Sequence, residues 1–164
     1  MAVVTNKSPK ITALDADLDK KAVIPPTPEY VYDATMELAN GDSIGSTYRL
    51  IRVPSHFRPT SLRLSCDAIT TCTADFGLYQ NAANGGAVAD ADLFASAQAL
   101  SSALVQTEIT TEATAANIDK TGKRLWEILG LTADPGVSYD LTATLTAAAG
   151  SAGTIAVQLR GYFE

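Results

Sequence analysis

The sequence has few charged residues, a single histidine and only two cysteines. Charged side chains make up 18% of the 164 residues, below the roughly 25% of an ordinary soluble domain. The balance is acidic, with 12 Lys and Arg against 18 Asp and Glu. Nucleic-acid binding depends on clustered cations that displace counterions from phosphates, so we expect no nucleic-acid ligand. A surface poor in charge is typical either of a plain β-domain or of a chain partly covered by other chains.

Long apolar segments are absent as well. No run reaches the roughly 20 apolar residues of a membrane-spanning helix. The first ten residues, "MAVVTNKSPK", lack the apolar core of about 7 to 15 residues that a signal peptide requires. We therefore expect synthesis and folding in the cytoplasm and no membrane partner.

Metal and cofactor signatures are also missing. Cys66 and Cys72 have no Cys-x-x-Cys pattern and no histidine cluster near them, which leaves too few ligands for zinc. They are either two partly buried thiols on neighbouring strands or a disulfide across a hairpin. Aspartates recur at two-residue intervals, at Asp15, Asp17, Asp19, Asp90 and Asp92. Neither group has the Gly and distal Glu of a calcium loop, and no Gly-rich phosphate loop is present, so we expect no metal and no cofactor.

One short motif suggests catalysis. The block "GDSI" at 41–44 is similar to the Gly-Asp-Ser-Leu block of a large class of hydrolases, in which the serine is the nucleophile. Such a serine needs a general base, nearly always histidine. The one histidine, His56, follows Ser43 by 13 residues across a predicted strand, which rises about 3.3 Å per residue and would place the two side chains near its opposite ends. These hydrolases carry their histidine near the C terminus, where this chain has none.

The same stretch is better explained as a turn. Asn40 and Gly41 both tolerate positive φ and form one of the strongest two-residue hairpin signals. Asp42 and Ser43 can satisfy local backbone amides. The sequence therefore predicts a hairpin between two strands at this point, and no catalytic residue.

The first 30 residues differ in composition from the rest. The stretch "KSPKITALDADLDKKAVIPPTPEY" mixes charges with prolines, which fix φ and remove amide donors and so favour an extended path. We interpret 1–30 as an N-terminal arm, which is either a disordered terminus or a segment that orders along a partner. In the second case the partner-binding residues are Ile24, Pro25, Pro26, Pro28 and Tyr30.

Residues 31–164 show the alternation of an antiparallel β-domain. In "GTIAVQLRGYFE" the apolar residues Ile155, Val157, Leu159 and Phe163 share one face, and "VSYDLTATLTAAA" alternates in the same way. The flexible "AAGSAG" between them predicts a C-terminal hairpin. Further strands are predicted at 32–38, 48–53, 61–68 and 74–79, with turns at 81–86 and 133–137.

Two segments break the alternation. In "DADLFASAQALSSAL" apolar residues recur at three- to four-residue spacing from Leu93 to Leu104 behind two aspartates, which predicts a short surface helix. "KRLWEILGL" predicts a second helical turn that stops at Gly130. Together the elements predict an all-β fold, an antiparallel β-sandwich of jelly-roll type, with one or two short helices and an extended N-terminal arm.

Three blocks carry a resemblance to a known family. They are "ELANGDSIGSTYRLIRVPS", "LRLSCDAITTCTADFGLYQNAANGGAVADADLFASA" and "LWEILGLTADPGVSYDLTATLTAAAGSAGTIAVQLRGYF", and they cover about residues 35–163. Their order resembles that of small head structural proteins of tailed bacteriophages, encoded beside the major capsid protein. The resemblance implies a decoration or cement protein, a small β-domain that binds the outer face of a capsid and holds neighbouring subunits together.

The resemblance further implies a non-enzymatic virion protein on the capsid exterior, with the major capsid protein as partner and no small-molecule substrate. We expect a homo-oligomer, a dimer or trimer, because capsid sites lie on or near rotation axes. A fibre or carbohydrate-binding β-sandwich of a phage tail is an alternative, and it would display clustered exposed aromatic rings. Its candidates are Trp126, Tyr79, Tyr139 and Tyr162. An esterase built on Ser43 is the enzymatic alternative.

Overall fold

Eight strands and one short helix make up the computed structural model, which describes residues 28–113 and 115–163. The strands are β1 (Tyr30–Leu38), β2 (Thr47–Pro54), β3 (Arg58–Cys66), β4 (Thr73–Gln80), β5 (Val88–Ala99), β6 (Leu104–Glu108), β7 (Ser138–Ala147) and β8 (Gly153–Tyr162). The helix α1 is a single turn, Leu125–Ile128, and 3-10 turns span Ala82–Asn84 and Ile118–Lys120. None of the helices in this part of the chain is long and apolar enough to cross a membrane.

The strands form two four-stranded sheets. The first has the order β1-β8-β3-β6 and the second the order β2-β7-β4-β5, and every neighbouring pair is antiparallel. The chain passes from one sheet to the other at every connection except that between β4 and β5. This is the eight-stranded arrangement of a jelly roll, so the predicted antiparallel β-sandwich of that type is confirmed.

The core lies between the two sheets, and the central strands β4 and β7 of the second sheet are buried on part of their outer face as well. Along β8 the residues alternate strictly between buried and partly buried, as the sequence pattern predicts. The largest enclosed side chains include Phe57, Phe76 and Phe94, each at most 1% exposed. Full burial of a side chain of this kind contributes about 1.5–3 kcal/mol, so these rings hold the two sheets together.

The predicted hairpins are wrong, although the strands that they join are present. β7 pairs with β2 and β4, whereas β8 pairs with β1 and β3, so the segment 148–152 crosses between the sheets. The connections from β1 to β2 and from β3 to β4 cross in the same way. Alternation identifies which face of a strand is buried, but two strands that face each other across a core alternate just as two paired strands do.

The helix predicted between Asp90 and Leu104 is also wrong, because this segment contains β5. Its register against β4 shifts at three places, and Ala97 has a φ of 49°. Such bulges insert unpaired residues, so Leu93, Phe94 and Ala95 are buried in succession and the apolar spacing resembles that of a helix. The helical turn predicted in "KRLWEILGL" is confirmed as α1, and Gly130 follows it with a φ of 74°.

The strand directions divide the connections between two ends of the sandwich. We call the first end the tip; it consists of residues 39–46, 67–72, 100–103 and 148–152. We call the second the arm end, because β1 begins there; it consists of residues 55–57, 81–87 and 109–137, together with Pro28, Glu29 and Phe163. Each end therefore gathers connections that are far apart in sequence.

Candidate partner-binding surface

The predicted partner-binding residues divide between the described part of the chain and the part outside it. Ile24, Pro25 and Pro26 lie outside the described residues. Pro28 is exposed, and Tyr30 begins β1 with 41% of its surface accessible. The arm end therefore presents two of the five predicted residues at its surface.

Tyr30 belongs to a cluster of rings at the arm end. Its ring centroid lies 4.6 Å from that of Phe163, edge to face, and Phe163 lies 5.3 Å from Phe57. Tyr32 and His56 complete the cluster, at 5.9 Å from Phe57 and 5.5 Å from Phe163. Aromatic pairs of this geometry contribute about 0.5–1.5 kcal/mol beyond their burial. The cluster packs the start of β1 against residues 56–57 and against Phe163, which follows β8.

A cleft of about 250 Å³ opens at the arm end between the start of β3, the end of β6 and the connection from β6 to β7. We call it the arm-end cleft. Its apolar lining comes from Pro59, Phe94, Ala116 and Ile128, all of them buried. Thr60, Thr111 and Lys120 are among the polar residues that border it.

Glu108 forms one wall of the arm-end cleft. It accepts hydrogen bonds from the Ser61 hydroxyl at 2.6 Å, the Leu62 amide at 3.1 Å and the Thr110 amide at 3.0 Å. Burial raises the pKa of Glu108, but hydrogen bonds from Ser61 and Thr110 outweigh it and hold the pKa below its ordinary value. The carboxylate therefore stays ionised, and its hydrogen bonds join β3 to the loop that follows β6.

A charged cluster lies on the outer face of the second sheet. Asp140 is 5% exposed. Its carboxylate accepts hydrogen bonds from Arg52 Nε at 2.7 Å and from Arg49 Nη1 at 3.1 Å, and forms ion pairs with both side chains. The hydrogen bond from Arg52 is the main cause that lowers the pKa of Asp140. Arg49 also donates to the carbonyls of Gln80 and Gly86. Because these donors bind groups of the same chain, the cluster ties β2 to β7 and to the connection after β4.

Ser43 and His56 lie at opposite ends of the molecule. Near Ser43, the Gly45 amide donates to Leu145; next to His56, the Ser55 amide donates to Val137, and both distances are 2.8 Å. These two acceptors are eight residues apart along the β7 segment, about 26 Å at the usual rise. The geometry does not bring the candidate nucleophile and its candidate base together.

Gly41 has the predicted positive φ, here 92°, whereas Asn40 does not have a positive φ. The Asp42 amide donates to the Ala39 carbonyl at 3.2 Å. The Asp42 carboxylate accepts the Ala39 amide at 2.7 Å and the Tyr48 hydroxyl. The hydrogen bond from Tyr48 is the main cause that lowers the pKa of Asp42, followed by that from Ala39. Asp42 thus satisfies a local amide as the sequence predicts.

Cys66 and Cys72 are free, buried thiols. Cys66 ends β3 and Cys72 precedes β4, so they belong to different sheets rather than to a hairpin. Burial raises the pKa of both thiols. Between residues 28 and 163, leaving out 114, no three His, Cys, Asp or Glu side chains gather in a group that could hold a metal ion.

The four aromatic residues named for a carbohydrate site do not form an exposed platform. Tyr79 and Tyr139 are only 7% and 3% exposed, and the Tyr79 hydroxyl lies 2.9 Å from Thr144 Oγ1. Trp126 and Tyr162 are partly buried. Two of the four rings are therefore removed from any ligand.

The sequence pattern does not predict the ring cluster or the arm-end cleft. Their residues come from distant segments, such as "PEYVY", "SHF" and "GYFE", each of which places an aromatic residue at the end of a strand. Only the strand order shows that these strand ends meet. The position of aromatics at strand ends is the one signal in the sequence that points to the cluster.

Comparison with known proteins gives similarity of structure but not of sequence. No protein-family model matches the chain, and no curated protein matches it. A chain of the cyanophage Pam1 capsid asymmetric unit superposes with a TM-score of 0.58 at 13% identity, over 90% of this chain and 96% of that one. A chain of the capsid of Ralstonia phage GP4 gives 0.59 at 18% identity, over 90% and 93%. At these identities the likeness is one of fold.

Proposed function

We propose that this chain is a non-enzymatic virion structural protein that binds the outer surface of a phage capsid and stabilises the lattice by bridging neighbouring capsid subunits. The observation that carries the proposal is the likeness of fold to chains from two phage capsids. The alignments cover nearly all of each chain, so the likeness is between whole chains of similar length rather than between one domain and part of a larger protein.

The surface has the properties that a lattice-binding protein needs. Few charges must be desolvated, since charged residues are only 18% of the sequence, and the centres of protein interfaces are depleted in charge. β1 lies at the edge of its sheet and exposes Tyr30 and Val31, at 41% and 47%. An edge strand with exposed apolar side chains can accept a neighbouring chain.

The mechanism is linkage to assembly. A protein that binds only the assembled lattice stabilises it by mass action, by about 2.7 kcal/mol at a concentration 100 times its Kd. Many copies on one shell multiply a modest contribution per site. The partner is the major capsid protein, and the protein acts as a dimer or trimer on the capsid exterior after synthesis in the host cytoplasm.

The N-terminal arm supplies the bridge in this proposal. We assign 1–30 to the arm and 31–164 to the β-sandwich domain, with Tyr30 at the junction as the first residue of β1. A stretched chain of about 25 residues spans tens of ångströms. Its contacts with the adjacent subunit are Ile24, Pro25, Pro26, Pro28 and Tyr30. The exposure of Pro28 and Tyr30 at the arm end supports this assignment.

The test is addition of the purified protein to expanded, undecorated capsids. We expect it to co-sediment with them and to raise their melting temperature. Tyr30→Ala should weaken binding. Ile44→Ala is the control and should leave binding unchanged, because Ile44 is also an exposed apolar residue, 68% accessible, but lies at the tip. Absence of co-sedimentation together with an unchanged capsid melting temperature would show that the proposal is wrong.

A further inference from the structure

We propose that in the free protein the segment Ile24-Pro25-Pro26 docks in the arm-end cleft of its own chain. This inference concerns the protein before it meets any partner, so it goes beyond capsid binding and does not depend on it. It rests on the size and lining of the cleft and on the place where the described chain begins.

The dimensions of the arm-end cleft suit side chains rather than a free ligand. Its volume of about 250 Å³ is below the roughly 300–1,000 Å³ of pockets that enclose a small molecule. The floor is apolar, with Phe94 at 1%, Ala116 at 3% and Ile128 at 6% exposure. The space therefore fits one or two compact apolar side chains.

Proline is the residue type that enters such a cleft with the smallest desolvation penalty. It has no amide donor that would lose its hydrogen bond on burial. Proline-rich segments in the extended polyproline conformation dock in grooves lined by aromatic and apolar side chains, because little conformational entropy remains to be lost. Pro25 and Pro26 follow Ile24 directly, so the segment presents three adjacent apolar side chains.

The described chain already contacts the rim of the cleft at its N-terminal side. The Thr60 hydroxyl, which borders the cleft, donates to Glu29 Oε1 at 3.2 Å. β1 and β3 are separated by β8, so the start of β1 lies about 9.5 Å from β3 at the usual strand spacing. Pro26 and Pro25 precede Glu29 by three and four residues, which span about 9 to 12 Å in a polyproline helix. The length of the tether matches the distance.

A tether this short favours the chain's own segment over that of a second copy. The effective concentration of a group on a short flexible linker is in the millimolar range. A second copy at micromolar concentration competes poorly against it. We therefore assign the cleft to the segment of the same chain.

Hydrogen exchange on the full chain tests the proposal. We expect the amides of Ile24 and Thr27, and those of residues 110–117, to exchange about tenfold more slowly in the parent than in the double variant Pro25→Ser, Pro26→Ser. Pro9→Ser, which changes a proline of the same arm away from the segment, should exchange like the parent.

A second pair of variants changes the cleft instead of the segment. Thr111→Glu places a charge at the mouth of the cleft and should abolish the protection of Ile24. Thr132→Glu is its control, because Thr132 is an exposed threonine of the same connection that does not border the cleft. Equal exchange of Ile24 in all variants would overturn the proposal, and so would protection that increases with protein concentration, since a second copy would then supply the segment. Neither result bears on capsid binding.

Discussion

The arm end carries a cluster of aromatic rings, whereas the tip joins its connections mainly through hydrogen bonds. At the tip, backbone amides join the connections to one another: Gly41 donates to Ala149, Gly150 to Thr70 and Ile69 to Leu100, each at 2.8 Å. Two of the three donors are glycines at which a side chain would be strained: Gly41 has a φ of 92°, and a Cβ on Gly150 would lie 2.9 Å from the Thr70 carbonyl oxygen. Substitution of either glycine should therefore disturb the tip.

The arm end depends on particular side chains. Rings of Tyr30, Phe57 and Phe163 pack in series, the Ser55 hydroxyl bonds the Asp134 carboxylate, and Arg58 donates to the Gly122 carbonyl. Each contact requires a specific residue type. The structure of the arm end, where the cleft also lies, therefore depends on the identity of these side chains.

The largest contrast between the ends comes from Phe57. Its ring is 0% exposed and contacts Tyr32 and Phe163, so Phe57→Ala should lower the free energy of unfolding by about 3–5 kcal/mol. The control Ile44→Ala, at the tip, should change it by less than about 0.5 kcal/mol. Urea denaturation of both variants makes the measurement, and equal effects would remove the distinction between the ends.

Asp140 gives the next largest effect, from the arm-end half of β7. Asp140→Asn loses the ion pairs with Arg52 and Arg49 and should cost about 1–3 kcal/mol at pH 7. The pKa of Asp140 is lower in the folded than in the unfolded protein. Its contribution to the free energy of unfolding is therefore complete above the unfolded pKa of about 3.9, and it is lost as pH falls through the folded pKa. The gap between parent and variant should narrow as pH falls below the unfolded pKa of about 3.9; a gap that stays constant from pH 7 into acid would contradict this cause.

Asp42 sharpens the comparison, because it is a side chain that acts within the tip. Asp42→Asn weakens the hydrogen bonds from Tyr48 and Ala39, and the melting temperature should fall by less than in Asp140→Asn. The folded pKa of Asp42 is lowered, so its stabilising effect too is present above the unfolded pKa and lost as pH falls. Melting temperatures at pH 7 and in acid test this. A larger fall than in Asp140→Asn would show that the tip also depends on side-chain identity.

The smallest effect is expected at Ser43. Ser43 is exposed, so Ser43→Ala should leave the free energy of unfolding within about 0.5 kcal/mol of the parent. It is also far from His56, so the variant should not change the rate at which a generic ester is hydrolysed in the presence of the protein. Hydrolysis by the parent that Ser43→Ala abolishes would restore the esterase alternative.

Much of the fold could be predicted from the sequence because alternation reports directly which face of a strand is buried. β8 is identifiable in this way, and Gly130 marks the end of α1. β7 is identifiable as a strand, but its polar residues Asp140 and Thr142 are buried as well, which alternation does not predict. The strand pairing could not be predicted, since alternation carries no information about which sheet a strand joins. β5 was not identifiable as a strand because its bulges against β4 disturb the two-residue period.

The candidate site was predictable only in part. The prolines near the N terminus favour an extended path, so Pro28 and Tyr30 can be named from the sequence as candidates. The arm-end cleft is built by residues such as Pro59, Phe94 and Ile128, which are distant in sequence. Their proximity follows from the strand order, which the sequence pattern alone does not contain.

The most direct test of capsid binding is a difference map, by electron cryo-microscopy, between expanded capsids with and without the full chain. We predict added density for an eight-stranded domain on the outer surface, in contact with at least two neighbouring capsid subunits. A map with no added density outside the shell, or with a domain that touches one subunit only, would contradict the proposed bridging role.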